Sequence, residues 1–203
     1  RERFEAPLQT IDCTQAHIAG PSRVEADELA TPLSPYSPRG LFWASYRALM
    51  KLGSRWSEGL RIGQETGYDS GSTLDYVYQN QPQGTNAFGR LVDKNYLNAI
   101  GWRGIRQRKA NIAKAISLAM AKLREAGKPI DVLDIASGHG RYVLDALTAE
   151  NHPDSVRLRD YSQINVAAGR KLIAERGLQE IVSFDEVNAF DPANYQALTP
   201  RPT

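Results

Sequence analysis

The residues whose types and spacing suit chemistry lie late in the chain, in the run Asp134-Ile-Ala-Ser-Gly138-His-Gly140. An apolar stretch from Ile130 to Ile135 leads into it, and a helical pattern from Arg141 to Thr148 follows. Glycines at a strand-to-helix turn let a ligand approach the backbone, where a side chain would block it. Nicotinamide, flavin and phosphate sites all use such pairs, so the neighbours must discriminate. The dinucleotide fingerprint needs a third glycine three residues after the second, and that position is Val143. A phosphate loop needs Gly-Lys-Ser/Thr, and Gly140 is followed by Arg141-Tyr142. Both are disfavoured. Asp134 stands instead at the strand end, before the glycines.

A second acid, Asp160, closes the weakly alternating stretch Val156 to Asp160. An acidic side chain at that point can accept hydrogen bonds from both hydroxyls of a ribose. A third stretch, Ile181 to Val187, ends in Asn188-Ala189-Phe190-Asp191, where an amide can bond an adenine edge. Singly, each residue has a plainer explanation: Asp134 as a helix cap, Asp160 as a turn residue, Asn188 as a loop asparagine. Their shared position after successive strands sets them apart.

The elements that must position them alternate in type. Ser162 suits the cap of a helix running to Arg176, with Gly177 at its C-terminal end. Strand-helix-strand-helix-strand predicts parallel pairing with right-handed crossovers, and a cleft outside the carboxyl ends of the strands.

These motifs, Asp134-Ile-Ala-Ser-Gly138-His-Gly140, Asp160-Tyr-Ser and Asn188-Ala189, resemble the nucleotide half of a class I S-adenosylmethionine-dependent methyltransferase. The resemblance implies Asp134, Ala136, Gly138 and Gly140 around the methionyl end of that cofactor, Asp160 on the ribose, and Asn188 with Ala189 at the adenine. Ala136 departs from the family's usual first glycine, and Asn188 from its commoner aspartate. The motifs cover Ile130 to Asp191. A looser resemblance, carried by Gly67-Tyr-Asp-Ser-Gly-Ser-Thr-Leu-Asp-Tyr and Asn95-Tyr-Leu-Asn-Ala-Ile-Gly-Trp-Arg-Gly-Ile-Arg-Gln-Arg-Lys, links residues 41–128 to a bacterial methyltransferase family. Members of that family occur joined to an α/β-hydrolase domain, which implies such a domain upstream in a longer protein. The family sheet has more strands than the three placed here, so we expect residues 129–203 to form an incomplete cofactor-binding domain of Rossmann-like type.

Upstream, residues 1–40 read as an extended arm or linker, because Pro32, Pro35 and Pro38 fix φ and remove amide donors. Residues 41–128 read as a helical region covering the substrate. Phe42, Tyr46, Leu49, Trp56 and Leu60 fall on one broad face of a single helix over Leu41 to Leu60, opposite Arg47, Lys51, Arg55 and Glu58. A helix covering a core is the commoner meaning of that pattern, and a helix lying on an anionic membrane the rarer one. Residues 63–86 read as polar loop with a short ordered piece at Leu74 to Tyr78, as able to form part of a substrate site as to be a plain connection, with no catalytic pairing legible in it. Further helices fit Phe88 to Ile100, and Ile105 to Leu123 with Gly127 and Pro129 ending it.

The fold class expected is therefore α/β, a helical N-terminal part followed by the first three parallel strands of a Rossmann-like methyltransferase sheet. Of the 203 residues, 41% are hydrophobic and 24% charged, which excludes disordered, collagenous and coiled-coil chains. No run approaches the ~20 apolar residues of a membrane span. One cysteine, Cys13, excludes a disulfide framework or multi-cysteine zinc site within the sequence, and we expect no metal. The expected setting is cytoplasmic, with peripheral membrane contact open. The expected acceptor is a small molecule or lipid.

No catalytic base is legible: His17, His139 and His152 each read more readily as structural or solvated. Between Arg103 and Lys128 the chain carries Arg103, Arg106, Arg108, Lys109, Lys114, Lys122, Arg124 and Lys128 against Glu125 alone. The alternative to an enzyme is thus a non-catalytic Rossmann-like module that meets an anionic partner through this basic helix. Nucleic acid ranks below both, because no aromatic stacking platform accompanies the cations.

Overall fold

The computed structural model describes residues 23–148 and 152–196. Cys13, His17 and the first part of the expected arm lie outside the described residues. The chain divides into two compact units, the first ending at Ala48 and the second beginning at Leu49.

Within the first unit, α1 spans Arg23–Ala30, so the expected arm is helical over this stretch. The segment 31–37 connects it to α2, Pro38–Gly53. Pro38 opens α2 because its missing amide is one a first helical turn leaves unpaired. The hydroxyl of Ser37 accepts from the Gly40 amide at 3.0 Å and caps that turn.

The single helix expected over Leu41 to Leu60 is two. α2 stops at Gly53 and α3 begins at Glu58, spanning Glu58–Thr66. The break has a cause outside the local sequence. Ser57 is the N-cap of α3, its hydroxyl accepting from Leu60 N at 3.2 Å. The fully buried carboxylate of Asp93 takes the hydroxyl hydrogen of Ser57 and accepts from Glu58 N at 3.3 Å and Gly59 N at 3.1 Å. A carboxylate there answers the orphan amides and the positive end of the helix dipole together. The face expected to cover a core divides accordingly: Leu60 is buried, while Phe42, Tyr46 and Leu49 are exposed.

The polar stretch expected as loop contains α4, Gly71–Gln79, capped by Ser70, whose hydroxyl accepts from Thr73 N at 3.1 Å. Two further helices follow, α5 over Ala87–Leu97 and α6 over Ile100–Glu125. Tyr76, Val77 and Leu97 form one buried cluster, with Ile62, Trp102 and Ile105 packed against it. The Tyr76 hydroxyl donates to Asp93 at 2.7 Å, so the carboxylate that starts α3 also ties α4 to α5.

Among the described residues the sheet has three parallel strands in the order β1-β2-β3: β1 Asp131–Ile135, β2 Ser155–Asp160 and β3 Val182–Glu186. Between them lie α7, Arg141–Leu144, shorter than the expected Arg141 to Thr148, and α8, Gln163–Glu175. A last short helix, α9, spans Ala193–Gln196. Ser162 is the N-cap of α8 by backbone position but makes no side-chain cap bond. The architecture is α/β, a helical N-terminal part followed by a parallel sheet.

Burial in β2 alternates with the two-residue period of a strand, so Val156, Leu158 and Asp160 share the buried face. Val156 and Leu158 join Val143, Leu144, Val166, Leu172, Ile173, Val182 and Phe184 in the main core. Gly169 lets α8 sit on β3, since a Cβ there would lie 2.2 Å from the Phe184 ring.

Candidate functional site

The turn after β1 is built from backbone geometry. Ala136, Gly138 and Gly140 have φ of 59°, 57° and 73°, the left-handed region that glycine tolerates and alanine rarely adopts. Ser137 holds the turn from beneath. Its amide donates to Arg159 O at 3.0 Å, and its hydroxyl meets Asp134 O and Arg159 N. With the serine buried and fastened across two strands, Ala136 is forced into positive φ. At Gly140 a side chain would also collide with Leu158, 2.5 Å from an added Cβ.

Asp160, 5% exposed, ends β2 beside this turn. Its Oδ2 accepts from Gly138 N at 2.9 Å, and its Oδ1 from Ser162 N at 2.9 Å and Asn165 Nδ2 at 3.1 Å. The acid expected to receive a sugar is thus also a clasp between the glycine turn and the start of α8. A carboxylate offers about four acceptor directions, so these donors leave a further direction on Oδ2.

A cavity of about 750 Å³ opens at this edge of the sheet. Ala136, Gly138, Gly140, Asp160 and Asn165 line it, with α4 and α6 contributing Ser72, Asp75, Tyr78, Arg108 and Ile112. That volume suits a nucleoside-sized ligand. α4 approaches the turn closely because Gly71 faces Gly138: a Cβ on Gly71 would lie 2.8 Å from the Gly138 Cα and 2.8 Å from the Asn165 amide.

Asp134 is not among the residues that line the cavity. Tyr142 does line it, and its hydroxyl reaches both Asp134 carboxylate oxygens at 2.6 Å. Burial pushes the Asp134 carboxyl up, and the hydrogen bonds from Tyr142 and Ser137 only partly pull it back. Burial and the neighbouring carboxylate raise the Tyr142 phenol in turn.

Asn188 and Ala189 follow β3 at the same sheet edge, but neither lines the cavity. The Asn188 side-chain carbonyl accepts from Phe190 N at 2.9 Å, an Asx turn that engages the oxygen expected to face an adenine. The structure therefore brings Ala136, Gly138, Gly140 and Asp160 together on the cavity lining and leaves Asp134, Asn188 and Ala189 outside it.

Sequence reasoning missed the pairing of α4 with the glycine turn. His139 projects from the glycine turn with its Nε2 3.1 Å from the Ser72 hydroxyl and its Nδ1 3.4 Å from Asp75 Oδ2. Asp75 also accepts from Arg141 Nε at 2.5 Å and Nη2 at 3.1 Å, and from Gln79 Nε2 at 2.7 Å. Burial alone would raise the Asp75 carboxyl, but hydrogen bonds from His139 and Arg141 and the Arg141 charge hold it down at about 2. The available signal was the spacing of Ser72 and Asp75, which puts both on one face of a helix. Their partner is 67 residues away from Ser72 in sequence, and that pairing only the fold supplies. Among the described residues no group of His, Cys, Asp and Glu is arranged to hold a metal.

The basic run on α6 is partly engaged within the protein. Arg106 donates to Leu97 O at 2.8 Å, Lys109 pairs with Asp145 and lies 5.5 Å from the Tyr78 ring centroid, and Arg124 donates to His152 O at 2.7 Å.

A parallel sheet, a glycine turn at positive φ after β1, an acid at the end of β2 and a cavity at the carboxyl edge are the parts from which α/β proteins build a ligand site. The chain belongs to a methyltransferase family, described as "Putative methyltransferase", whose match extends over residues 1–203. It is 53% identical over 195 residues to the uncharacterized protein YnbC of Escherichia coli (strain K12), covering 96% of this chain and 33% of that protein. The chain thus spans about a third of the length of this curated relative. Solved structures with partial likeness include the 4+2 cyclase SpnF, at 22% identity over 44% of this chain and 30% of that one, TM-score 0.34. Another is the bifunctional kinase-methyltransferase WbdD, at 20% identity over 45% of this chain and 20% of that one, TM-score 0.32.

Proposed function

We propose that this chain binds S-adenosylmethionine in the cavity at the carboxyl edge of its sheet and serves methyl transfer to a small-molecule or lipid acceptor in the cytoplasm. The observation that carries the reading is Asp160, a buried carboxylate fixed beside three positive-φ residues on the wall of a nucleoside-sized cavity. The residues fit the cofactor. Asp160 Oδ2 has an acceptor direction for a ribose hydroxyl, and the Asn165 amide on Oδ1 can turn aside for a second. The glycines leave the turn without side chains on the ligand's path.

When bound, S-adenosylmethionine supplies an electrophilic methyl group on a sulfonium. What the chain adds is position, which supplies much of the rate in an in-line displacement. An acceptor bearing a proton must also lose it. His139 is the group on the cavity wall suited to take that proton at Nε2, where the Ser72 hydroxyl now sits, with Asp75 orienting the ring from Nδ1. Asp134 supports this wall through Tyr142.

Calorimetric titration of S-adenosylhomocysteine into the full-length protein, beside its Asp160→Ala variant, tests the reading. Saturable binding to the parent protein, weakened at least tenfold in the variant, is the expected result. A folded parent protein that takes up no S-adenosylhomocysteine overturns it.

A further inference from the structure

We infer that α2 is a membrane-docking helix whose occupant is the surface of an anionic lipid bilayer. The inference stands apart from cofactor binding, because it rests on residues outside the cavity.

The helix is amphipathic, yet its apolar side is exposed. Leu41, Phe42, Tyr46, Leu49 and Leu52 recur at helical spacing on one side, and Arg47 and Lys51 lie opposite. Phe42 is 61% exposed and Leu49 65%, where a helix on a core would bury them. Phe42, Trp43 and Tyr46 pack against one another, with ring centroids 5.3 to 6.5 Å apart, as an outward-facing aromatic group. Tryptophan and tyrosine are the side chains that favour the boundary between headgroups and acyl chains.

Charge selects the occupant. From Leu29 to Ser57 the chain carries Arg39, Arg47, Lys51 and Arg55 and no Asp or Glu, although the 203 residues together have a net charge of only +2. An apolar and aromatic face flanked by cations, with no acid between Glu28 and Glu58, complements an anionic bilayer. With 16 residues α2 is too short to span one, and no helix among the described residues is long and apolar enough to cross a membrane. It would lie in the interface plane, with its cations at the headgroups.

The test is flotation of the full-length protein with vesicles of phosphatidylcholine alone and of phosphatidylcholine mixed equally with phosphatidylglycerol, while following tryptophan emission. The expected result is binding to the anionic vesicles only, weakened by salt, with a blue shift that disappears in Trp43→Phe. Phe42→Ala with Leu49→Ala should reduce binding at least tenfold without changing the melting temperature, because both side chains are exposed. Arg47→Gln with Lys51→Gln should reduce it by roughly twenty-five-fold, at about fivefold for each charge removed. The inference is overturned by absent binding, by equal binding to neutral vesicles, or by binding that both paired variants retain. It is overturned equally if amides of Pro38–Gly53 resist hydrogen exchange in the full-length protein without vesicles and Phe42→Ala with Leu49→Ala abolishes that resistance, since another part of the protein would then cover the face.

Discussion

Removing the Asp75 carboxylate should separate the helical part of the second unit from the glycine turn, because this one group receives donors from both sides. Its own helix supplies Gln79, while His139 and Arg141 reach it from the turn and the start of α7. Asp75 and Arg141 side chains are 7% and 21% exposed, so the pair is largely desolvated. Breaking such a pair from one side costs about 3–5 kcal/mol, because a buried charge is left uncompensated. For a domain of this size that is a fall in melting temperature on the order of 10 °C in Asp75→Asn at neutral pH.

The pH dependence provides a second magnitude. The folded carboxyl titrates at about 2 against an ordinary 3.8, so the unfolded chain binds the proton more readily than the folded one. The resulting stabilisation, roughly 2 kcal/mol, is present above the ordinary value and is lost as the pH falls through the folded one. Denaturant unfolding followed from pH 7 to pH 2 should show this loss in the parent protein and lack that share of it in Asp75→Asn. Arg141→Met added to Asp75→Asn should regain much of the stability at neutral pH, because both charges are then gone. An Asp75→Asn protein that melts within about 2 °C of the parent at neutral pH, or keeps the full acid dependence, would refute the reasoning.

The buried carboxylate of Asp93 supports a prediction of the same kind: Asp93→Asn turns one acceptor oxygen into a donor facing the amides and hydroxyls it now satisfies. At about 1–3 kcal/mol for each stranded donor, urea unfolding should report a loss of at least about 3 kcal/mol, and a loss below about 1 would contradict the assignment. Tyr142→Phe removes the hydroxyl that favours the charged form of Asp134, so the Asp134 carboxyl should titrate higher still by carbon-detected NMR. A downward movement there would show that burial is not what raises it.

Much of the sheet was legible in the sequence because its signals are local. The strand near Ile130 to Ile135, the alternation from Val156 to Asp160 and the stretch near Ile181 to Val187 all form strands in parallel register. The positive φ at Gly138 and Gly140 follows from a turn that must reverse direction within a few residues. Period-two burial likewise puts Asp160 on the inner face beside Leu158. These features depend on neighbours in sequence, which composition and spacing record.

What sequence could not decide were the pairings between distant residues. The pattern from Leu41 to Leu60 has the period of one helix, but Asp93 presents its carboxylate at Ser57, and a new helix begins there. Nothing in the spacing of Phe42, Tyr46 and Leu49 tells a core face from an exposed one, since both need the same periodicity. Ser72 read as a loop residue and Asp75 as part of a short ordered piece, until α4, brought close by Gly71 against Gly138, set them on either side of His139. The sequence by itself determined the strands, the glycine turn and the acid at its side, because backbone sterics and period impose them locally. Tertiary structure alone decided which helix closes the cavity and which face stays exposed, because those depend on contacts whose partners the chain separates.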